Sequence, residues 1–169
     1  MQTKETGSQL HSLLSQAKNN TTLWIGHLQA DPNDHFAGQT FTCTSEGRLD
    51  NIQLFAETVQ RPCDIQLSLH EFDNGSKTWG PAIGESNLEV EKSDQQQWIR
   101  FPLPALHLKK EATYGFRVHT DNGMVGLGEA VTGNQSPFTF GYEWNGDSDN
   151  DLGRYYSFFS LAFKIYMRA

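Results

Sequence analysis

The fold turns on residues 64–72, Asp64-Ile65-Gln66-Leu67-Ser68-Leu69-His70-Glu71-Phe72. Ile65, Leu67 and Leu69 recur at every second position, with Asp64, Gln66, Ser68 and His70 between them. That period of two puts the apolar residues on one face of a strand and the polar ones on the other. A strand of this kind buries one face and leaves the other in water, as in antiparallel sheets.

The same period recurs outward from this stretch. Residues 39–44 place Phe41 and Cys43 on one face, and residues 113–119 align Tyr114, Phe116 and Val118. Residues 137–144 align Phe138, Phe140, Tyr142 and Trp144. Residues 157–168 align Phe159, Leu161, Phe163, Ile165 and Met167, and Trp98 to Phe101 is a short strand ending at Pro102. Weaker strand candidates are 23–28, 48–58 and 88–92. Glu46-Gly47, Asp73-Asn74-Gly75, Asp121-Asn122-Gly123 and Asn145-Gly146-Asp147 punctuate the series as turns. About eight to ten strands without a βαβ rhythm predict an all-β, antiparallel two-sheet β-sandwich of jelly-roll type. Leu67, Phe116, Phe140, Leu161 and Phe163 are the expected core. The glycine-rich stretches 77–86 and 121–136 read as long loops.

The N-terminal stretch reads differently. Leu10, Leu13, Leu14 and Ala17 stand at i, i+3, i+4 and i+7, the stripe of a short α-helix over residues 8–18. The expected organisation is a helical extension at 1–20 and a sandwich domain at 21–169. The helix would cover an open end or edge of the sandwich.

Composition bounds the function. The 169 residues carry 13 Lys and Arg against 20 Asp and Glu, a net charge of −7. An acidic chain without a basic block is a poor partner for a phosphate backbone, which argues against nucleic acid. No apolar run is long enough to span a bilayer as a helix, so membrane insertion is not expected. The first residues have no apolar core of a secretory signal. Cys43 and Cys63 are the only cysteines; they read either as two buried thiols or as one disulfide.

Gly38-Gln39-Thr40-Phe41-Thr42 followed by Gly47-Arg48-Leu49-Asp50-Asn51-Ile52-Gln53-Leu54 forms one motif. Trp98-Ile99-Arg100-Phe101 forms a second, and Tyr114-Gly115-Phe116-Arg117-Val118 a third. The chain closes on Leu161-Ala162-Phe163-Lys164-Ile165-Tyr166. Together, over about residues 36–166, they resemble the carbohydrate-binding-module-like jelly rolls of secreted or surface bacterial proteins. Ser160 stands where that class often has an Asp before its closing Leu-Ala-Phe. The resemblance implies an extracellular, non-catalytic module that binds an oligo- or polysaccharide.

Catalytic motifs are missing. No nucleophile elbow, phosphate loop or His-Glu-x-x-His occurs. Glu71-Phe72-Asp73 resembles part of the Glu-x-Asp-x-x-Glu strand of jelly-roll glucanases, but Ser76 occupies the third acid position. Trp79 lies in an aperiodic loop and Trp144 at a strand end, each able to stack on a sugar or to fold back as a lid. Arg117 and His119 share the polar face of one strand, and Glu143 precedes Trp144; these five residues are the expected carbohydrate site. No cofactor is required. Asp147, Asp149 and Asp151 alternate in an acidic loop, which reads either as a structural calcium site or as a self-bonded turn. The alternatives to a sugar-binding module are a structural or adhesive module of a surface, secreted or phage assembly, and a divergent glycoside hydrolase.

Overall fold

The computed structural model describes residues 10–27 and 32–168. The chain folds as fourteen strands: β1 (Leu10–Gln16), β2 (Thr21–His27), β3 (Asp34–Thr42), β4 (Gly47–Val59), β5 (Cys63–Asp73), β6 (Thr78–Val90), β7 (Gln97–Pro102), β8 (His107–Leu108), β9 (Thr113–His119), β10 (Met124–Val131), β11 (Glu143–Asp147), β12 (Asn150–Tyr156), β13 (Phe159–Leu161) and β14 (Phe163–Arg168). Among the described residues the one helical turn is a 3₁₀ turn at Lys92–Asp94.

All fourteen belong to one hydrogen-bonded sheet, along the path β1-β14-β4-β10-β2-β3-β9-β5-β6. β7 and β8 branch from β4, β13 from β10, and β11 with β12 from β3. Every pairing is antiparallel. The expected sandwich therefore appears in coarser form, as an all-β antiparallel sheet curled onto itself. The joint is narrow: β2 meets β3 only at Gly26↔His35 and His27↔Asp34. Gly26 sits at φ +101°, and a Cβ there would run into the Gly123 carbonyl, so the corner requires glycine.

Curling brings the apolar faces together. Phe116 of β9 meets Phe163 of β14 at 5.9 Å between ring centres, and Phe138 meets Phe163 at 4.9 Å. Leu67, Phe116, Leu161 and Phe163 are at most 1% exposed, as the period-two reading expects. Gln39 stitches the halves from inside: its Oε1 accepts the Leu161 backbone N–H at 3.2 Å.

Three expectations are corrected, and the cysteine alternatives are decided. The N-terminal helix does not form: Leu10–Gln16 is strand β1, paired with β14. A bulge between Ser12 and Leu14 explains the misleading stripe, because one extra residue shifts the alternation and lets Leu14 and Gln16 point inward. An isolated helix this short has little stability, and an open edge of β14 offers a full ladder of partners. Phe140 is 46% exposed, because residues 137–142 form no strand and β11 begins only at Glu143. Stretch 77–86 is mostly the edge strand β6, and 121–136 contains β10. Gly126 and Gly128 hid β10 by breaking its pattern; they make room for Trp24 and Phe55 on the outer face. Cys43 and Cys63 are both buried free thiols, with burial pushing Cys43 up to about 12.

Candidate functional site

The site lies on the outer face of the half-sheet β12-β11-β3-β9-β5-β6. Register decides which side chains meet there. Gly38 of β3 stands opposite both Trp144 of β11 and Arg117 of β9, and Arg117 stands opposite Ser68 of β5. Alternation then places Arg117, His119, Ser68 and His70 outward, away from the core set Phe116, Val118, Leu67 and Leu69.

Glycines form the floor. A Cβ on Gly38 would sit 3.2 Å from the Trp144 ring, and one on Gly115 would sit 2.5 Å from the Trp79 ring. Both indoles can therefore approach the backbone closely at these positions. Trp79 and Trp144 meet edge-to-face at 5.6 Å. The Arg117 guanidinium lies 4.1 Å from the centre of each ring. A cation held over two aromatic faces and partly withdrawn from water is attracted by about 0.5–2 kcal/mol per ring. Trp79 Nε1 donates to the Tyr155 hydroxyl at 2.8 Å, and Trp144 Nε1 donates to the Leu152 carbonyl at 3.0 Å. Phe72 and His70 pack edge-on against Trp79 at 5.1 and 5.5 Å.

Beside this clamp is a hollow of about 360 Å³ lined by Asp34, Phe36, Ser68, His70, Arg117, His119, Asp121 and Trp144, among others. Phe36 meets His119 edge-on at 5.7 Å. A neighbouring hollow shares Ser68 and His119 and continues over Gln66, Glu85 and Asn87. The surface thus offers hydroxyl, imidazole, guanidinium, amide and carboxylate groups around one aromatic ring. His70 is held below the ordinary histidine range, first by burial and then by the Arg117 charge, against the pull of its bond to the Gly80 carbonyl. Ser68 Oγ lies 2.8 Å from His70 Nε2, which fixes the ring.

Of the five expected sugar-site residues, the fold brings four together: Trp79, Trp144, Arg117 and His119. Trp144 is only 1% exposed, so it supports Arg117 and does not present a free face. Glu143 is fully buried on the core side of β11, opposite Gln39, and does not reach this surface. Phe36 was not singled out from sequence; the signal was its alternation with Ala37 at the start of β3. A separate hollow of about 560 Å³ is lined by Thr40, Thr42, Thr113, Phe140 and Tyr142, among others. It lacks a charged group other than the nearby Lys77, whose ammonium lies 4.2 Å from the Tyr142 ring centre.

The acidic loop forms the β11–β12 hairpin turn. Asp147 Oδ1 accepts the backbone N–H groups of Asp149 and Asn150, at 2.9 and 2.7 Å. The side chain of Asp151 lies outside the described residues. Among the described residues, no group of three or more His, Cys, Asp or Glu is arranged to hold a metal, and no helix is long and apolar enough to cross a membrane.

No protein-family model and no curated protein matches the chain. Among solved structures, the chain is similar to the clostridial cysteine protease Cwp84 after propeptide cleavage. The identity is 13% and the TM-score 0.56, over 95% of this chain and 40% of that one. A second structure contains the cysteine protease and lectin-like domains of Cwp84, a surface layer associated protein of Clostridium difficile. It matches at 12% identity and a TM-score of 0.51, over 88% of this chain and 36% of that one. The chain spans about two fifths of the solved chains it matches, and at these identities the likeness is one of fold.

Proposed function

We propose that this chain is a non-catalytic module that binds carbohydrate on the outer face of β3, β9 and β5. The observation that carries the reading is the Arg117 guanidinium, locked between Trp79 and Trp144 at the edge of a polar hollow. A planar donor fork held rigid loses little entropy when it bonds a sugar hydroxyl or carboxylate. His119, Ser68, Asp34 and Asp121 supply further donors and acceptors, and Phe36 supplies a face for the apolar side of a ring. The fold likeness to a surface protein with lectin-like domains supports a binding or surface role. The jelly-roll assignment and an extracellular location belong to the same proposal.

One aromatic platform and a few exposed hydrogen bonds support only weak binding, with a Kd of about 10 μM to 1 mM. Titration calorimetry of the chain against a panel of soluble glycans tests this. Arg117→Ala should weaken the best ligand at least about tenfold, as expected for loss of a charged hydrogen bond of 1.5–3 kcal/mol. Binding unchanged by Arg117→Ala and by His119→Ala overturns the site. No binding across the panel favours a structural or adhesive module.

A further inference from the structure

The outer face of β3 carries a second hollow, past the aromatic clamp from the first. Alternation sets both on one side. Ala37, Gln39 and Phe41 point inward and are fully buried, so Phe36, Gly38, Thr40 and Thr42 all face outward. Phe36 lines the hollow beside Arg117, Gly38 lies against Trp144, and Thr40 and Thr42 line the hollow of about 560 Å³. On β9 the same run reads Arg117, Gly115 and Thr113, opposite Gly38, Thr40 and Thr42. From Phe36 to Thr42 the strand covers about 20 Å, farther than one sugar ring reaches.

The second hollow is shaped by fixed backbone. Residues 140–142 run beside β3: the Thr42 N–H donates to the Phe140 carbonyl at 2.7 Å, and the Thr40 N–H to the Tyr142 carbonyl at 2.8 Å. Thr40 Oγ1 accepts the Tyr142 N–H at 2.8 Å. A Cβ on Gly141 would run into the Thr40 carbonyl oxygen, so only glycine allows this approach. Phe140 is thereby left 46% exposed on a fixed segment, packed on Phe138 at 5.9 Å between ring centres. Asp73 Oδ1 accepts the N–H groups of Gly75 and Ser76, at 3.0 and 3.2 Å, and fixes the turn that carries Asn74 and Lys77. The Lys77 ammonium lies 4.2 and 5.5 Å from the ring centres of Tyr142 and Tyr155.

The lining is hydroxyl and amide around an exposed ring. Thr42 Oγ1 and Thr113 Oγ1 lie 2.9 Å apart. When one donates to the other, the acceptor's own O–H and the donor's lone pairs can still bond a ligand, and the chain of bonds is mutually strengthening. Asn74, Ser136 and Ser157 add further donors and acceptors, and no Asp, Glu, Arg or Lys is among the described residues that line the hollow. Groups that both donate and accept, beside an apolar ring face, match an uncharged sugar unit. We propose that this hollow is a second glycan subsite, and that the ligand is an uncharged linear oligosaccharide lying along β3 from Phe36 to Phe140, over the clamp. The proposal rests on the carbohydrate reading of the Arg117 hollow and adds length and charge class to it. Two subsites on one ligand make the second contact intramolecular, so affinity grows with chain length although neither subsite is tight.

Titration calorimetry of the whole chain with uncharged oligosaccharides of glucose, mannose, galactose and xylose, graded from mono- to hexasaccharide, tests this. Affinity should rise at least about tenfold from di- to hexasaccharide in the best series. Phe140→Ala should weaken the hexasaccharide about three- to tenfold and leave the disaccharide unchanged. Thr42→Val, which keeps the shape and removes the hydroxyl, should act in the same direction. Arg117→Ala should weaken both lengths. Affinity independent of length, or a hexasaccharide indifferent to both Phe140→Ala and Thr42→Val, overturns the second subsite; if Arg117→Ala still weakens binding, the first site stands without it. A hexamer of a uronic acid that binds more tightly than every uncharged one, and loses that advantage in Lys77→Gln, overturns the uncharged class. Binding of no oligosaccharide of either kind overturns this subsite and the carbohydrate reading together.

Discussion

The indole N–H of Trp79, in the edge strand β6, donates a 2.8 Å hydrogen bond to the hydroxyl of Tyr155 in β12, 76 residues later. That one contact ties the two ends of the outer face together across β11, β3, β9 and β5. It holds the Trp79 ring over Gly115 and so keeps one side of the Arg117 clamp closed. The Tyr155 phenol is pushed above its ordinary range by burial, against the opposing effects of the Trp79 bond and the Arg117 charge, so it stays a neutral hydroxyl at any ordinary pH.

Tyr155→Phe removes this bond and the weaker one that the hydroxyl donates to the Lys77 carbonyl at 3.4 Å. The expected loss of stability is about 0.5–1.5 kcal/mol, with a larger relative loss in glycan affinity as Arg117 loosens. Chemical denaturation and titration calorimetry on the same variant compare the two. Equal affinity in variant and wild type would show that the clamp does not need the tie.

Gly115→Val tests the floor beneath Trp79. The first added carbon would lie 2.5 Å from the ring, closer than carbon atoms approach. Either the indole or the strand must shift, at about 1–3 kcal/mol. Tryptophan emission should move to longer wavelength as the ring gains contact with water. An unshifted spectrum with unchanged stability would count against the ring's position.

Trp144→Ala opens a hole beneath the outer face. The ring is 1% exposed, and Gly146 and Gly153 close over it. The expected cost is about 3–5 kcal/mol, as for other buried aromatic truncations. Phe163→Ala, at the meeting of Phe116 and Phe138, should cost a similar amount. Thermal unfolding measures both, and a loss under about 1 kcal/mol would mean that the rings are not buried as described.

Asp50 predicts a pH dependence. Burial raises its carboxyl, but bonds from Asn51, Arg100 and Arg168 outweigh this, and the net shift is downward. Arg168 Nε donates at 2.6 Å and Arg100 Nη2 at 3.2 Å. A lowered folded value means the stabilisation is complete above about pH 4 and is lost as pH falls through the folded value. Asp50→Asn should therefore lower Tm near neutrality, and the gap from wild type should narrow toward about pH 2. A gap constant from pH 2 to pH 7 would remove the ion pairs from the account.

The strands that alternate cleanly were legible. Residues 64–72 and 113–119 read directly as β5 and β9, since a half-buried strand writes its two faces into alternate residues, whereas 157–168 reads as one strand and forms two, β13 and β14. Arg117 and His119 were legible as one polar face for the same reason. Strands β6 and β12 were not, because edge strands can be polar on both faces and still pair.

What the sequence determined by itself is local: the period of two, the turns and the acidic, aromatic-rich composition. Those follow from neighbours along the chain, and they suffice for an all-β antiparallel fold. The tertiary structure alone decided that Leu10–Gln16 pairs with β14 as a strand, that Trp144 is buried on an outer face, and that Glu143 meets Glu129 inside. Each depends on a partner far along the chain: the open edge of β14, the bare glycines 38, 146 and 153, and the register that brings β11 and β13 to Gln39. Side-chain pattern specifies which face of a strand is apolar, but only register and curling specify what that face, or its opposite, comes to lie against.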